Sequence, residues 1–493
     1  MFRTVFSSGL IFAVMLSTAG LVLAQAPDSL WHRVYGGASS DYGYSVDLTT
    51  DGGFIIAGQT YSFGTGLSDF YLVRTNSSGD TLWHRAYGTA GTDYARAARQ
   101  TPDGGFIVVG MSDSLDSGDH DVYLVKTDSH GVASWTRRYG TPNGVERGND
   151  ICLAPDGGYL IAGMTSSFGH GADDGYLIKT DSHGNLLWQA VYGGTENEYF
   201  ERMELTSDGG CILVGSTGSA TPGWDLYVVR TRSDGDTLWT WTSGGTGTDF
   251  GTSGVECLDG GFAVVGTIYF TSASYQLFII KLSSDGNTVW RRFYGGSGTD
   301  HAFGVRQVAS DGGYVIVGYT NSYGAGDWDI YLLRTDASGD TLWTTTFGDS
   351  LREWGWDTEL LTDGSLVISG SARSYGPAPD DAYLLKTQAD PAGAPALQLT
   401  SSVDLRLVAR PNPSASGISI ECDLPTLGDV AVTIHDCLGR EIWRLVLPDC
   451  AAGRHSIGWD GRDARGREVG AGVYFCRVAG GGRTATTKSI VLR

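Results

Sequence analysis

The sequence predicts an all-β protein, a seven-bladed β-propeller followed by a small Ig-like β-sandwich. Three observations predict it. An Asp-Gly-Gly turn leading into an apolar run opens at Asp51, Asp103, Asp156, Asp208, Asp259 and Asp311, and returns as Asp363-Gly-Ser-Leu, with spacings of 51 to 53 residues. Each repeat reads as four short strands, the content of one propeller blade, and seven copies fit the usual range of about four to eight blades. After a Pro- and Ala-rich stretch, a run of short alternating segments fills the last ninety or so residues, as in a sandwich.

One repeat shows why strands are expected. Leu30–Tyr35 is a strand and Gly36-Gly37 turns the chain. Tyr44–Thr49 alternates apolar and polar residues, the period of a half-buried strand. Thr50–Gly53 is a hairpin turn whose glycines supply positive φ. Phe54–Ala57 is continuously apolar, which suits a strand covered on both faces. A loop over Tyr61–Ser68 precedes Phe70–Arg74, and Asn76–Asp80 turns into Leu82-Trp83, the first strand of the next copy. The first copy starts with a lone Trp31 strand and the last stops after Tyr383–Lys386. Joining the two closes the ring and removes two exposed edges. The expected boundaries are a signal peptide at 1–24, the propeller at 25–389, a linker at 390–405 and the Ig-like domain at 406–493.

The ends and the composition set the compartment. Arg3, the apolar stretch Leu10–Leu23 and Val22-Leu-Ala24 read as a signal peptide cleaved after Ala24. The alternative is an uncleaved anchor, but the apolar run falls short of the ~20 residues of a span. No other transmembrane helix is expected in the mature chain. The protein is therefore expected to be secreted or held at the outer cell surface. A formal charge of −21 argues against nucleic acid as a partner, because that affinity rests on basic patches. Seven cysteines suit an oxidising destination. Cys422, Cys437, Cys450 and Cys476 could form two disulfides with three connectivities open, while Cys152, Cys211 and Cys257 lie in the repeats. No CxxC pair or Cys/His cluster suggests zinc.

A tryptophan occupies one equivalent strand position in every copy, at Trp31, Trp83, Trp135, Trp188, Trp239, Trp290 and Trp343. The turns before them include Asp128-Ser-His-Gly131, Asp181-Ser-His-Gly184 and Asp336-Ala-Ser-Gly339. This resembles the tryptophan-docking turn of quinoprotein propellers and, more loosely, the Asp-box of sialidases. Both resemblances concern a structural device and imply the fold, not catalysis.

Two rings of side chains are expected on one face. The first holds Asp41, Asp93, Glu146, Glu198, Asp249, Asp300 and Glu353, and the second Asp69, Asp121, Asp174, Asp225, Gln276, Asp329 and Asp381. Such carboxylates could hold calcium, a hard cation that takes several oxygens, or accept hydrogen bonds from nearby loops. Their recurrence in every copy favours the second role, since a site normally breaks the symmetry of its scaffold. On the same face the long loop carries Phe63, Phe168, Phe270, Tyr323 and Tyr375, with Leu115 in the second copy. These either stack on sugar rings as a ligand face or tuck under the loop as satellite core. Arg74, Arg230 and Arg334 share one position with Lys126, Lys179, Lys281 and Lys386, a scaffold feature. His84, His120, His130, His170, His183 and His301 do not pair as ligands. No nucleophile elbow, phosphate loop or distinct carboxylate pair supports catalysis.

The tail carries expected strands at Ile418–Cys422, Val430–Ile434, Glu441–Leu445, His455–Trp459, Gly472–Cys476 and Thr486–Val491. Its motifs are Pro411-Asn-Pro413, Asp436-Cys-Leu-Gly-Arg440, Gly453-Arg-His455, Trp459-Asp-Gly-Arg-Asp463, Gly472-Val-Tyr474 and Lys488–Arg493. Together they resemble the C-terminal sorting domain of type IX secretion cargo, and are similar to the Ig-like domain of flagellar hook-capping proteins. The resemblance implies recognition by an outer-membrane secretion machinery, with the domain often removed afterwards. The four cysteines depart from the usual pattern. The repeats likewise resemble those commonly placed before such tails. The function expected is a binding or adhesion protein for an extracellular glycan or protein. The alternatives are a polysaccharide hydrolase or lyase acting on the same face, or a purely structural surface protein.

Overall fold

The computed structural model describes residues 26–113, 120–218, 223–245, 247–271, 274–390, 406–410, 418–424, 428–436, 440–450, 453–480 and 483–491. The expected signal peptide, all but the first residue of the expected linker and the Pro411-Asn-Pro413 motif lie outside them. The chain divides into two units, 1–395 and 396–493. Every regular element among the described residues is a strand, and no helix among them is long and apolar enough to cross a membrane.

The first unit holds seven four-stranded antiparallel sheets. In blade 1 the strands Asp41–Leu48, Phe54–Thr60, Asp69–Thr75 and Thr81–Tyr87 pair in sequence order, from inner to outer. Blades 2 to 6 repeat this with inner strands at Asp93–Gln100, Glu146–Leu153, Glu198–Leu205, Phe250–Glu256 and Asp300–Gln307. Blade 7 combines Glu353–Leu360, Leu366–Ala372 and Asp381–Thr387 with the N-terminal strand Ser29–Tyr35, in the register Trp31 opposite Lys386. Each inner strand contacts those of both neighbouring blades, and Asp41–Leu48 meets Glu353–Leu360 to close the ring. This is a seven-bladed propeller.

Packing explains the pattern of residues. The second and third strands of blade 1 are buried along their whole length, because each blade is covered on both faces. Ile55, Ala57, Phe70 and Leu72 interdigitate with Ala98, Phe106, Val108 and Val125 of blade 2. Each large apolar side chain so buried contributes about 1.5–3 kcal/mol. The hairpin carboxylates stay at the edge and pair with the third-strand cations, as in Lys126 Nζ to Asp103 at 2.8 Å and Lys179 Nζ to Asp156 at 2.7 Å. That is the scaffold role expected for the Arg/Lys position.

The tryptophans dock between blades. Trp83 Nε1 donates to Ser129 O (3.2 Å) and Trp239 Nε1 to Ser284 O (2.9 Å), each in the turn of the following blade. Tyr35, Tyr87, Tyr139 and Tyr192 donate to the carbonyl of the glycine in that turn at 2.6–2.7 Å. Trp343 differs. Its neighbour, blade 7, takes its outer strand from the N-terminus and has no such turn, so Trp343 Nε1 donates to Asp390 Oδ1 at 2.8 Å.

The second unit is a two-sheet sandwich. Arg406–Arg410, Ile418–Leu424 and Gly453–Trp459 form one sheet, and Glu441–Cys450, Gly428–Asp436, Gly472–Gly480 and Arg483–Val491 the other. The first of these strands was not expected from the sequence. Trp459, Ile420, Val432, Ile434, Tyr474 and Val478 meet in its core. Cys476 is a free thiol in that core, pushed up to about 12 by burial, which departs from the expectation of two disulfides among four cysteines. Its place on the inward face of the strand sets it among apolar side chains. The side chains of Cys422, Cys437 and Cys450 lie outside the described residues.

Candidate functional site

The first carboxylate ring lies where the chain enters the inner strands, and all seven members are at most 1% exposed. One oxygen of each is committed to its own loop. Asp41 Oδ2 accepts from Gly37 N–H (2.8 Å), Glu198 Oε2 from Gly194 N–H (2.7 Å), Asp249 Oδ2 from Gly245 N–H (2.9 Å) and Asp300 Oδ2 from Gly296 N–H (2.8 Å). Asp93, Glu146 and Glu353 accept in the same way from Thr89, Thr141 and Asp349. Hydroxyls add to this, as Thr165 to Glu146 (2.7 Å) and Thr217 to Glu198 (2.6 Å). In the second ring, Asp69 Oδ2 accepts from Thr65 and Gly66 N–H, both at 3.0 Å.

The two rings meet at the blade junctions. A Cβ on Gly36 would stand 2.2 Å from Asp381 Oδ1 and 2.6 Å from Asp41 Oδ2, so only glycine fits there. Burial, reinforced by the facing carboxylate, raises the pKa of Asp69, Asp249, Asp329 and Asp381. Among the described residues no group of three or more His, Cys, Asp or Glu is placed to hold a metal ion.

The loop aromatics do not form one surface. Phe63 packs 5.7 Å from Tyr71 and 4.7 Å from His84, Phe168 5.9 Å from Tyr176, Tyr323 5.7 Å from Tyr331, and Tyr375 5.6 Å from Tyr383. Each rests on the third-strand tyrosine of its own blade; Phe63, Phe168 and Tyr375 are half-buried there, while Tyr323 stays 46% exposed. The side chains of Phe270 and Leu115 lie outside the described residues.

The arrangement with the character of a site is nearer the axis. Every inner strand slips register by one residue against its neighbour, leaving Tyr44, Arg96, Asn149, Glu201, Thr252, Phe303 and Trp356 unpaired in the ladder. A bulge of this kind re-aims a side chain. All seven residues line a single cavity of about 420 Å³ in the propeller channel. Each stands three positions after its ring carboxylate, and no two are the same amino acid. At one bulged position per blade the scaffold is uniform in backbone and different in chemistry.

The differences are segregated. Phe303, Trp356 and Tyr44, from adjacent blades 6, 7 and 1, make an aromatic arc, with Phe303 4.7 Å from Trp356 and Trp356 5.9 Å from Tyr44. Arg96, Asn149, Glu201 and Thr252, from blades 2 to 5, make a polar arc. The Arg96 guanidinium stacks on Tyr44 (5.3 Å) and lies 3.7 Å from Glu201. Glu201 is the one carboxylate among the described lining residues, so the cavity holds no carboxylate pair of the kind glycoside hydrolysis uses. His301, also lining it, is lowered to about 4 by burial and is neutral at physiological pH.

Arg202 closes the cavity below. It reaches from blade 4 to Asp357 of blade 7 (Nη1 to Oδ2, 3.2 Å) and to the Tyr44 carbonyl of blade 1 (3.3 Å). Beneath lies a second cavity of about 510 Å³ lined by Arg99, Arg306, Asp150 and Glu359 among others. Its charges are matched within the wall, with Arg99 to Asp150 at 3.1 Å and Arg306 to Glu359 at 2.6 Å. Glu204, in the same wall, is raised to about 7 by burial. Sequence reasoning missed the bulged positions. Their signal was present in the aligned repeats, as the column where the residue changes in every copy.

Residues 414–483 match the family described as the FlgD Ig-like domain, and the C-terminal unit is an Ig-like domain. Over 195 residues the chain is 28% identical to the regulatory protein FlaEY of Caulobacter vibrioides, a match covering 34% of this chain and 20% of that protein. The chain therefore spans about a fifth of the length of that relative. Among solved structures, PorZ, a surface component of the type IX secretion system of Porphyromonas gingivalis, is similar at a TM-score of 0.43 and 15% identity, covering 93% of this chain and 60% of PorZ. A fungal alcohol oxidase of the AA5 family is similar at a TM-score of 0.45 and 13% identity, covering 95% of this chain and all of that one.

Proposed function

We propose that the chain is an exported, non-enzymatic binding protein whose propeller takes an extracellular glycan in the channel cavity. The observation that carries this is the bulged ring. Seven equivalent positions present seven different side chains, sorted into an aromatic arc and a polar arc. A pyranose ring has the matching division, with C–H faces that stack on aromatics and hydroxyls that need donors and acceptors. The Ig-like domain is read as the segment an outer-membrane secretion machinery recognises, a reading supported by the Trp459–Asp463 and Gly472–Tyr474 motifs. Residues 1–24 are read as its signal peptide.

The test incubates the full chain with a panel of insoluble polysaccharides, with calcium and with chelator, while scoring depletion and released reducing ends. Depletion without release, indifferent to calcium and abolished by Trp356→Ala or Arg96→Gln in a folded protein, is the expected result. Depletion that survives both substitutions removes the cavity from the reading. New reducing ends mean a hydrolase or lyase, and no depletion on any glycan points to a protein ligand or a structural role.

A further inference from the structure

We infer that the cavity reads the end of a glycan chain, taking its terminal sugar end-on, rather than an internal stretch of polymer. The inference rests on the reading above that a saccharide fills the cavity, and it comes from the shape of the walls. Residues from all seven blades line the cavity, so no side of it is a groove through which a chain could pass laterally. Along the axis the way is barred. Arg202 crosses beneath from blade 4 to blades 7 and 1, held by Asp357 at 3.2 Å and the Tyr44 carbonyl at 3.3 Å.

The bar is anchored from both sides. Arg306 of blade 6 stands 3.7 Å from the same Asp357, whose side chain is 4% exposed, and Val46 N–H donates to it at 3.4 Å. A polymer threading the propeller would have to break this buried pair, which is costly once one partner is left uncompensated. The ligand therefore enters and leaves by one mouth, at the end where the inner strands begin. The volume, about 420 Å³, sits at the small end of the roughly 300–1,000 Å³ of small-molecule sites, which suits one or two sugar rings.

Within that space the two arcs orient a terminal ring. The face formed by Trp356, Phe303 and Tyr44 takes its C–H side. Arg96, which lies over Tyr44 at 5.3 Å and 3.7 Å from Glu201, presents its guanidinium to the hydroxyls at the junction of the two arcs. A ring inside a chain carries a glycosidic bond at both ends, and one of the two neighbours would run into the Arg202 floor.

The experiment measures binding of the full chain by calorimetry to cello-, xylo- and chito-oligosaccharides of increasing length. Each is compared with a counterpart capped by a bulky group at the non-reducing end, one capped at the reducing end, and end-free cyclic glucans. The expected result is an affinity per chain that stops rising after the shortest members, with binding lost on capping one end and absent for the rings. Affinity that climbs with length, or binding that survives both caps, overturns the chain-end reading while leaving glycan binding standing. Binding to no saccharide overturns both. In Arg202→Ala the floor is removed, and longer chains should then gain affinity over short ones. The wild-type series decides the matter even if that variant fails to fold.

Discussion

Arg202 and Asp357 face each other across the propeller channel, from blades four and seven, with Nη1 3.2 Å from Oδ2 and both side chains largely buried. Sequence neighbours do not bring them together; the closed ring does. The pair holds opposite walls of the channel and separates its two cavities.

Because Asp357 also faces Arg306 at 3.7 Å, the two members of the pair are not equivalent. Asp357→Ala leaves two guanidiniums without their shared carboxylate and is expected to cost about 3–5 kcal/mol. Arg202→Met leaves Asp357 beside Arg306 and should cost less. Denaturant midpoints of the two variants check the order, and a larger loss in Arg202→Met would contradict it.

Asp390 closes the ring where a turn is missing. Its carboxylate accepts from Trp343 Nε1 at 2.8 Å and from Arg334 Nε at 2.7 Å, and the Arg334 side chain is fully buried. Arg334 keeps Asp311 as its other carboxylate partner, so Asp390→Ala is expected to destabilise the propeller by about 1–3 kcal/mol, the cost of the buried donors left unpaired. Asp390→Asn, which keeps one acceptor, should lose less. Thermal unfolding of the three proteins side by side reads the difference.

Gly79 and Gly52 separate backbone strain from packing. Both have left-handed φ, 78° and 82°. A Cβ on Gly52 meets nothing within 4 Å, whereas one on Gly79 stands 2.7 Å from the Trp31 ring. Gly52→Ala is expected to cost about 1–2 kcal/mol from conformation alone. Gly79→Ala adds about 1–3 kcal/mol for overpacking at the junction of blades 7 and 1. Equal losses would mean that Trp31 moves freely.

Two partly buried groups set opposing pH dependences. Glu204 is raised from 4.5 to about 7 by burial, so the folded state holds its proton more tightly and loses stability as pH rises through that window. Glu204→Gln should therefore gain on the wild type between about pH 5 and 8. His301 is lowered from 6.5 to about 4, again by burial. Its contribution is complete above pH 6.5 and is lost as pH falls toward 4. The advantage of the wild type over His301→Phe should shrink on acidification across that range. Urea midpoints across the pH series measure both, and parallel profiles would contradict both.

The seven-fold period, the four strands per copy and the closing role of the Trp31 strand were legible because they follow from local chemistry. Asp-Gly-Gly makes its hairpin wherever it occurs, and alternation tells a half-buried strand from a fully buried one. The inner strand of blade 1 was read too short, starting at Tyr44 instead of Asp41. A buried carboxylate at a strand end looks, in sequence, like a loop residue. The Arg406–Arg410 strand was passed over because five residues beside a Pro-rich stretch carry little periodicity.

By itself, then, the sequence determined the architecture and the repeating devices that hold it: hairpins, docked tryptophans and carboxylates that tie down loops. Each depends on contacts within a blade or with the next one, which the 52-residue spacing already encodes. Only the tertiary structure decided which side chains share the axis. The bulge that frees Tyr44, Arg96 and Trp356 is a property of strand pairing, invisible in a linear pattern. Their division into an aromatic and a polar arc exists only once blade 7 lies beside blade 1. Phe63 and Tyr375 fold back onto their own blades, because a ring stacked on a neighbouring tyrosine buries more apolar surface than one standing alone at a loop tip.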